Sequence, residues 1–144
     1  MTHAKDGKKS PAASRGFTLI ELLVVMVILG LLAALVGPEL FGKLGGAKQN
    51  TAKTQIEMLL TALDAYRLDV GRYPSQSEGL QALVRNPGKD KWMGPYLRKE
   101  VPNDPWDNPY QYQNPGSHGE IDIFSHGLDG SPGGEGEDAD VTSW

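Results

Sequence analysis

The side chains with the clearest chemical capacity lie in the last 25 residues. Residues 120–144 carry seven acids, Glu120, Asp122, Asp129, Glu135, Glu137, Asp138 and Asp140, and no Lys or Arg. Five glycines fall between 127 and 136. So much negative charge in a tight loop repels itself, so the loop either stays solvated or binds a hard cation. Calcium takes roughly six to eight oxygens from carboxylates and backbone carbonyls, and glycine lets those carbonyls turn inward. The absence of Cys, with only His126 nearby, argues against zinc or copper. Gly133-Gly134-Glu135-Gly136-Glu137-Asp138 matches the G-G-x-G-x-D start of a calcium-binding repeat. It occurs once, and Asp140 stands where that repeat needs an apolar residue, so a repeat β-roll is excluded. The stretch Asp129 to Asp140 also fails the EF-hand pattern, because its third position is neither Asp nor Asn. On the residues alone, calcium and a solvated acidic loop both stay open.

No catalytic set accompanies these acids. His3, His118 and His126 are isolated in sequence, and neither a nucleophile elbow nor a phosphate loop is present, so the chain does not read as an enzyme. The other chemically loaded residue is Glu21, the one charge in the 20-residue apolar run 17–36. An ionised carboxylate in lipid costs several kcal/mol, on the order of 3, so it needs a partner or a path to water. Five residues into the run it is near enough to the interface to reach water. Otherwise its partner is Arg15, lipid, another chain, or an amine made by cleavage nearby.

The elements that must hold these groups follow from composition. A chain of 144 residues allows one small domain, and without Cys it has no disulfide framework. Net charge is −4 but divides unevenly, with +3 on residues 1–16 and −7 on the rest. So acidic a body argues against nucleic acid as a partner, since phosphate binding needs clustered Lys and Arg. The run 17–36 is long enough to span a bilayer as a helix, at about 1.5 Å per residue. Its basic flank puts the N-terminus in the cytoplasm and the body across the membrane. A secretory signal cleaved after the run, near Ala33-Ala34 and Gly37, is the competing reading.

Arg15-Gly16-Phe17-Thr18-Leu19-Ile20-Glu21 resembles the class III signal of type IV pilins and pseudopilins. The resemblance implies that a membrane peptidase cuts after Gly16 and N-methylates Phe17. Residues 1–16 would be a cleaved leader, and 17–36 a retained transmembrane and assembly segment. Glu21 would pair with the Phe17 amine of an adjacent subunit. Two charges in lipid neutralise one another only when subunits are correctly staggered, so such a pair sets register.

Behind the apolar run, Gly37, Pro38, Gly42, Gly45 and Gly46 make 37–46 poor helix material, and a kinked or locally melted junction is expected. Ile56, Leu59, Leu60, Leu63, Tyr66 and Val70 recur on one face of a helix over 47–70, which Gly71 stops. Ser77 to Val84 suits a short helix with Ser77 as N-cap. Tyr73, Trp92, Tyr96, Trp106 and Tyr110 read as aromatic plugs beside the main helix, with a sugar- or peptide-binding strip as the alternative. Tyr110–Tyr112 and Ile121–Phe124, separated by Pro115-Gly116, read as two antiparallel strands.

Asp69-Val70-Gly71-Arg72-Tyr73-Pro74, Glu78-Gly79-Leu80-Gln81-Ala82-Leu83, Asp104-Pro105-Trp106 and Pro115-Gly116-Ser117-His118-Gly119 extend the resemblance across the chain, to the major pseudopilins of type II secretion systems. Adhesive pilins usually carry a C-terminal cysteine pair, which is lacking here. The resemblance implies an α+β, pilin-like fold: a long N-terminal helix, half transmembrane, packed on a small antiparallel sheet, with residues 47–144 as the periplasmic domain. It also implies one calcium in the C-terminal loop. Asp129, Asp138 and Asp140 would give carboxylates, and His126 and Ser131 backbone carbonyls. Trp144 would anchor the chain end. The implied partners are further copies of the chain in a homopolymeric filament, the prepilin peptidase, minor pseudopilins and the inner-membrane assembly platform. The filament would drive export of folded proteins from the periplasm. An adhesive or DNA-uptake pilus subunit is the alternative.

Overall fold

The computed structural model describes residues 2–3, 7 and 15–144; most of residues 1–16, the expected leader, lies outside the described residues. Helix α1 is Leu19–Val70. Contacts divide the chain into two compact units, one ending at Pro38 and the other running from Glu39 to Trp144.

In the first part, α1 begins with a reciprocal pair. The Thr18 amide donates to Glu21 Oε2 and the Glu21 amide to Thr18 Oγ1, both at 3.3 Å. This capping box, a Thr followed three residues later by Glu, satisfies two of the amides that a helix start leaves orphaned. Beyond it Leu22, Val25, Ile28, Leu29, Leu32, Val36 and their neighbours are exposed on every side. The segment is long and apolar enough to cross a membrane, and none of its most apolar window is buried. The helical assignment continues unbroken through 37–46, Pro38 included, so the local melting expected there is absent. Proline lacks the amide that would reach Ala34, and a helix in lipid tolerates that loss when neighbours satisfy the freed carbonyl.

In the second part, residues 39–144, the expected stripe is the core. Ala52, Ile56, Leu59, Ala62, Leu63 and Tyr66 are buried, and Leu60 and Val70 pack against them partly exposed. Each fully buried Leu or Ile contributes roughly 1.5–3 kcal/mol. Gly71 ends α1 at φ 91°, its amide reaching Arg67 O at 2.8 Å, the left-handed stop that glycine adopts without strain. Strands β1 (Gln111–Gln113), β2 (Asp122–Ser125) and β3 (Val141–Thr142) form an antiparallel sheet in the order β1-β2-β3. Tyr112 faces Ile123 and Phe124 faces Thr142. The first two strands are those expected. The third is two residues long, too short for any alternation to announce it.

The expected helix over Ser77–Val84 is instead a 3-10 turn, Leu80–Leu83, whose N-cap is Gly79 with no side-chain cap bond. Gly79 at φ 60°, ψ −165° breaks the chain direction there, so Ser77 cannot cap it. The pairing lies two residues earlier, where Ser75 N donates to Glu78 Oε2 at 2.8 Å and Glu78 N to Ser75 Oγ at 3.3 Å. The aromatic residues are plugs: Tyr110 is buried, and Tyr73, Trp92, Tyr96 and Trp106 pack partly buried against the core. Trp92 Nε1 donates to Ala82 O at 2.7 Å, and Tyr96 OH to Asp69 Oδ2 at 2.8 Å.

Glu78 also ties this region by charge. Arg72 Nη2 and Lys89 Nζ each lie 3.1 Å from Glu78 Oε1. Burial alone would raise its pKa, but the Ser75 amide, Arg72 and Lys89 outweigh that and hold it near about 2, below the ordinary 4.5. A depressed carboxylate stabilises the fold above its unfolded pKa and loses that stabilisation as pH falls through the folded one. Acid denaturation followed by circular dichroism therefore carries a component between pH 4.5 and about 2 from this residue. Glu78→Gln removes that component, on the order of 2 kcal/mol after allowance for solvent screening. An unchanged pH slope in that window would refute it.

Candidate functional site

Two places collect the candidate residues. At the start of α1, Gly16 has open space around it and Phe17 is exposed. Glu21 occupies the Thr18 amide, and no cation pairs with it among the described residues. The capping box was spelled by Thr18-Leu19-Ile20-Glu21 but is hidden beneath the stronger question of a charge in an apolar run. The carboxylate therefore has a local partner before any intermolecular one.

The second place is the loop between β2 and β3. It starts from a buried hydrogen-bond chain. Asp104 accepts from the amides of Trp106 at 3.0 Å and Asn108 at 2.9 Å, and from Ser125 Oγ at 2.5 Å. Ser125 Oγ in turn accepts from Gly127 N at 3.2 Å. Gly127, at φ 68°, leaves no room for a side chain: a Cβ would fall 2.6 Å from Glu137 O and 2.9 Å from Ala139 O. The two ends of the loop thus close on one another, with Leu128 N donating to Glu137 O at 2.9 Å.

The expected ligands are distributed along this closed loop. Asp140 Oδ1 lies 3.1 Å from His126 Nδ1, and Oδ2 accepts from Gly133 N at 3.0 Å. Burial would raise the Asp140 pKa, yet the Gly133 amide and His126 bring it below the ordinary range. Asp129 Oδ1 accepts from Ser131 N at 3.0 Å. Asp138 donates its amide to Glu135 O at 3.1 Å within the 3-10 turn Gly136–Asp138. The imidazole of His126, rather than only its carbonyl, is engaged. Among the described residues no three Asp, Glu, His or Cys side chains converge on one point. The sequence places Glu137 and Gly136 only in the acidic loop, yet they also meet Lys48 and Gln49 of α1; nothing in their spacing announces that contact.

Beside the loop, Asp122 is 1% exposed and accepts from the amides of Ser117 at 2.7 Å, His118 at 3.0 Å and Gly119 at 3.1 Å. Those amides and the His118 ring, 3.2 Å away, outweigh the burial that would otherwise raise its pKa, and lower it. Gly116 is required at this turn, since a Cβ would lie 2.6 Å from Gly119 O. The ring of Trp144 stacks on His118 at 3.8 Å, with planes 6° apart, so the last residue is anchored as expected.

The profile of the type II secretion system protein G family matches residues 39–144, and that of the prokaryotic N-terminal methylation motif matches residues 11–37. The chain belongs to the type II secretion system protein G family. It is 48% identical to the type II secretion system core protein G of Pseudomonas aeruginosa over 90% of this chain and 94% of that one. The Vibrio cholerae core protein G is also 48% identical, with 90% of each chain covered. A crystal structure of the major pseudopilin from the type 2 secretion system of enterohaemorrhagic Escherichia coli superposes with a TM-score of 0.62. It shares 38% identity and covers 73% of this chain and 89% of that one. The α+β arrangement of one long helix with a three-stranded antiparallel sheet is the fold of that pseudopilin.

Proposed function

We propose that this chain is the major structural subunit of a type II secretion pseudopilus. The observation that carries the reading is the junction of two matches in one chain, an N-terminal methylation motif over 11–37 and a protein G body over 39–144. In this reading a prepilin peptidase removes residues 1–16 by cutting after Gly16 and methylates Phe17. The apolar segment then anchors the subunit in the inner membrane as a single span, with the body in the periplasm. Subunits join head to tail, a contact that does not close on itself and so builds a helical filament. Glu21 leaves its capping role or shares it, and its charge is met by the Phe17 amine of the next subunit. Minor pseudopilins and the inner-membrane platform are the further partners, and the growing filament drives folded proteins outward.

The C-terminal loop is proposed to hold calcium. Its donors are of the right kind: the carboxylates of Asp129, Asp138 and Asp140, and the backbone carbonyls of His126 and Ser131, all oxygens suited to a hard cation. Gly127 and Leu128 pack against the Glu137–Ala139 backbone, a frame that supports the reading although the carboxylates would still have to turn inward to meet on an ion. Calcium would supply a charge that offsets the mutual repulsion of these acids and would stabilise the folded domain.

Intact mass spectrometry of the membrane-extracted protein tests the main reading. The expected product begins at Phe17 and carries one added methyl group. A mass that retains residues 1–16 in secretion-competent cells, or a product cut after the apolar run, overturns it.

A further inference from the structure

Gly42, Gly45 and Gly46 fall within one short stretch of α1, a composition whose own propensity favours coil over helix. The stretch is helical nonetheless, and Gly45 is buried. What covers it is a single turn from the far end of the sequence. A Cβ on Gly45 would sit 2.5 Å from Glu137 Cγ and 3.1 Å from Glu137 Cδ, so the stem of Glu137 lies where a side chain would stand. Gly46, its neighbour, faces open space. From the same turn Gly136 O accepts a hydrogen bond from Gln49 Nε2, and Glu137 Oε1 lies 3.5 Å from Lys48 Nζ. The turn is itself tied across the loop by Leu128 N on Glu137 O.

We propose that the turn Gly136–Asp138 is a latch on α1, seated in the notch at Gly45, and that this contact holds residues 42–49 helical. Closing the acidic loop and forming this stretch of helix are then one coupled event. Glu137 is among the acids that the calcium assignment leaves unused, and its side chain faces the helix. A second consequence rests on the calcium reading: an ion bound by Asp138 or Asp140 stiffens the arm that carries the latch, so it protects the helix at a distance. Coupling of this kind is reciprocal, and loosening the latch weakens the ion to the same degree.

Hydrogen exchange by mass spectrometry on the full chain in detergent micelles tests the latch. In a Gln49→Ala, Glu137→Ala double variant, amides of residues 42–49 exchange about tenfold faster while those of 56–66 are unchanged, the pattern of local opening. Unchanged exchange at 42–49 overturns the proposal. Gly45→Ala and Gly46→Ala keep it falsifiable if the double variant unfolds throughout. Both add the same helix propensity, but only Gly45→Ala displaces Glu137. Slower exchange in Gly46→Ala alone supports the notch, and equal slowing in both overturns it. A calcium titration of the wild-type chain separates the two readings. Calcium that binds without protecting 42–49 overturns the coupling and spares the calcium site. If no calcium binds, the calcium reading fails while the variants still decide the latch.

Discussion

Glu21→Gln leaves the start of α1 formed and stops filament growth. Glutamine satisfies a capping box as glutamate does, so the Thr18 amide keeps its acceptor and the helix keeps its first turn. What the amide cannot supply is the negative charge that would neutralise a subunit's new N-terminal amine in lipid. Leaving that ammonium unpaired near the hydrocarbon costs several kcal/mol, on the order of 3 per subunit. A helical polymer repeats the penalty at every addition. The expected result is loss of pseudopili and of exoprotein export, with normal cleavage at Gly16 and normal membrane insertion. Glu21→Leu removes cap and charge together and gives the same phenotype. If Glu21→Gln assembles while Glu21→Leu does not, the residue acts as a cap and the charge-pairing reading fails. Immunoblots of sheared pili and assays of secreted enzyme read both outcomes.

Chelating calcium lowers the melting temperature of the full chain in detergent by on the order of 10 °C. A ligand bound only by the folded state stabilises it by about 2.7 kcal/mol at a hundredfold excess over its dissociation constant, and a domain of this size shifts by several degrees per kcal/mol. Restoring calcium restores the transition, whereas magnesium, which demands a tighter octahedral shell, does not. Asp138→Asn and Asp140→Asn separate the two arms of the assignment. Asp140 already serves Gly133 and His126, so its loss also lowers the melting temperature in chelator; loss of Asp138 acts only with calcium present. A melting curve indifferent to chelator, with no metal in the purified chain, leaves a solvated acidic loop as the correct description.

The residues that declared themselves in sequence are those whose signal is periodic or local. Ile56, Leu59, Leu63 and Tyr66 share a helical face, and all four are buried. Gly71 marked a helix end because few other residues tolerate its φ of 91°. Arg15 to Glu21 carried a processing motif in adjacent positions. What stayed hidden depends on distant pairs. The junction over 37–46 looked unfit for a helix because propensity is a sum over neighbours, while Gly45 is held by Glu137, far away in the chain. The 3-10 turn at Leu80–Leu83 reads as a longer helix in the sequence because Ser77 and Ser75 offer the same hydroxyl, and only the backbone at Gly79 decides between them. Strand β3 draws its identity from the edge of β2 rather than from Val141 and Thr142. The closed loop depends on Ser125, buried against Asp104, a pairing across 21 positions that no spacing rule contains.

From Leu22 to Val36 helix α1 is apolar around its whole circumference, with side chains exposed in every direction. Such a rod has no face to turn toward water, and wetting it would cost on the order of tens of kcal/mol. On the proposed function, a subunit must therefore trade acyl chains for sister rods without an aqueous stop between the two. Elongation has to take place at the root of the fibre, in contact with the bilayer. A finished fibre sheared free of its cell has no means of lengthening at its tip.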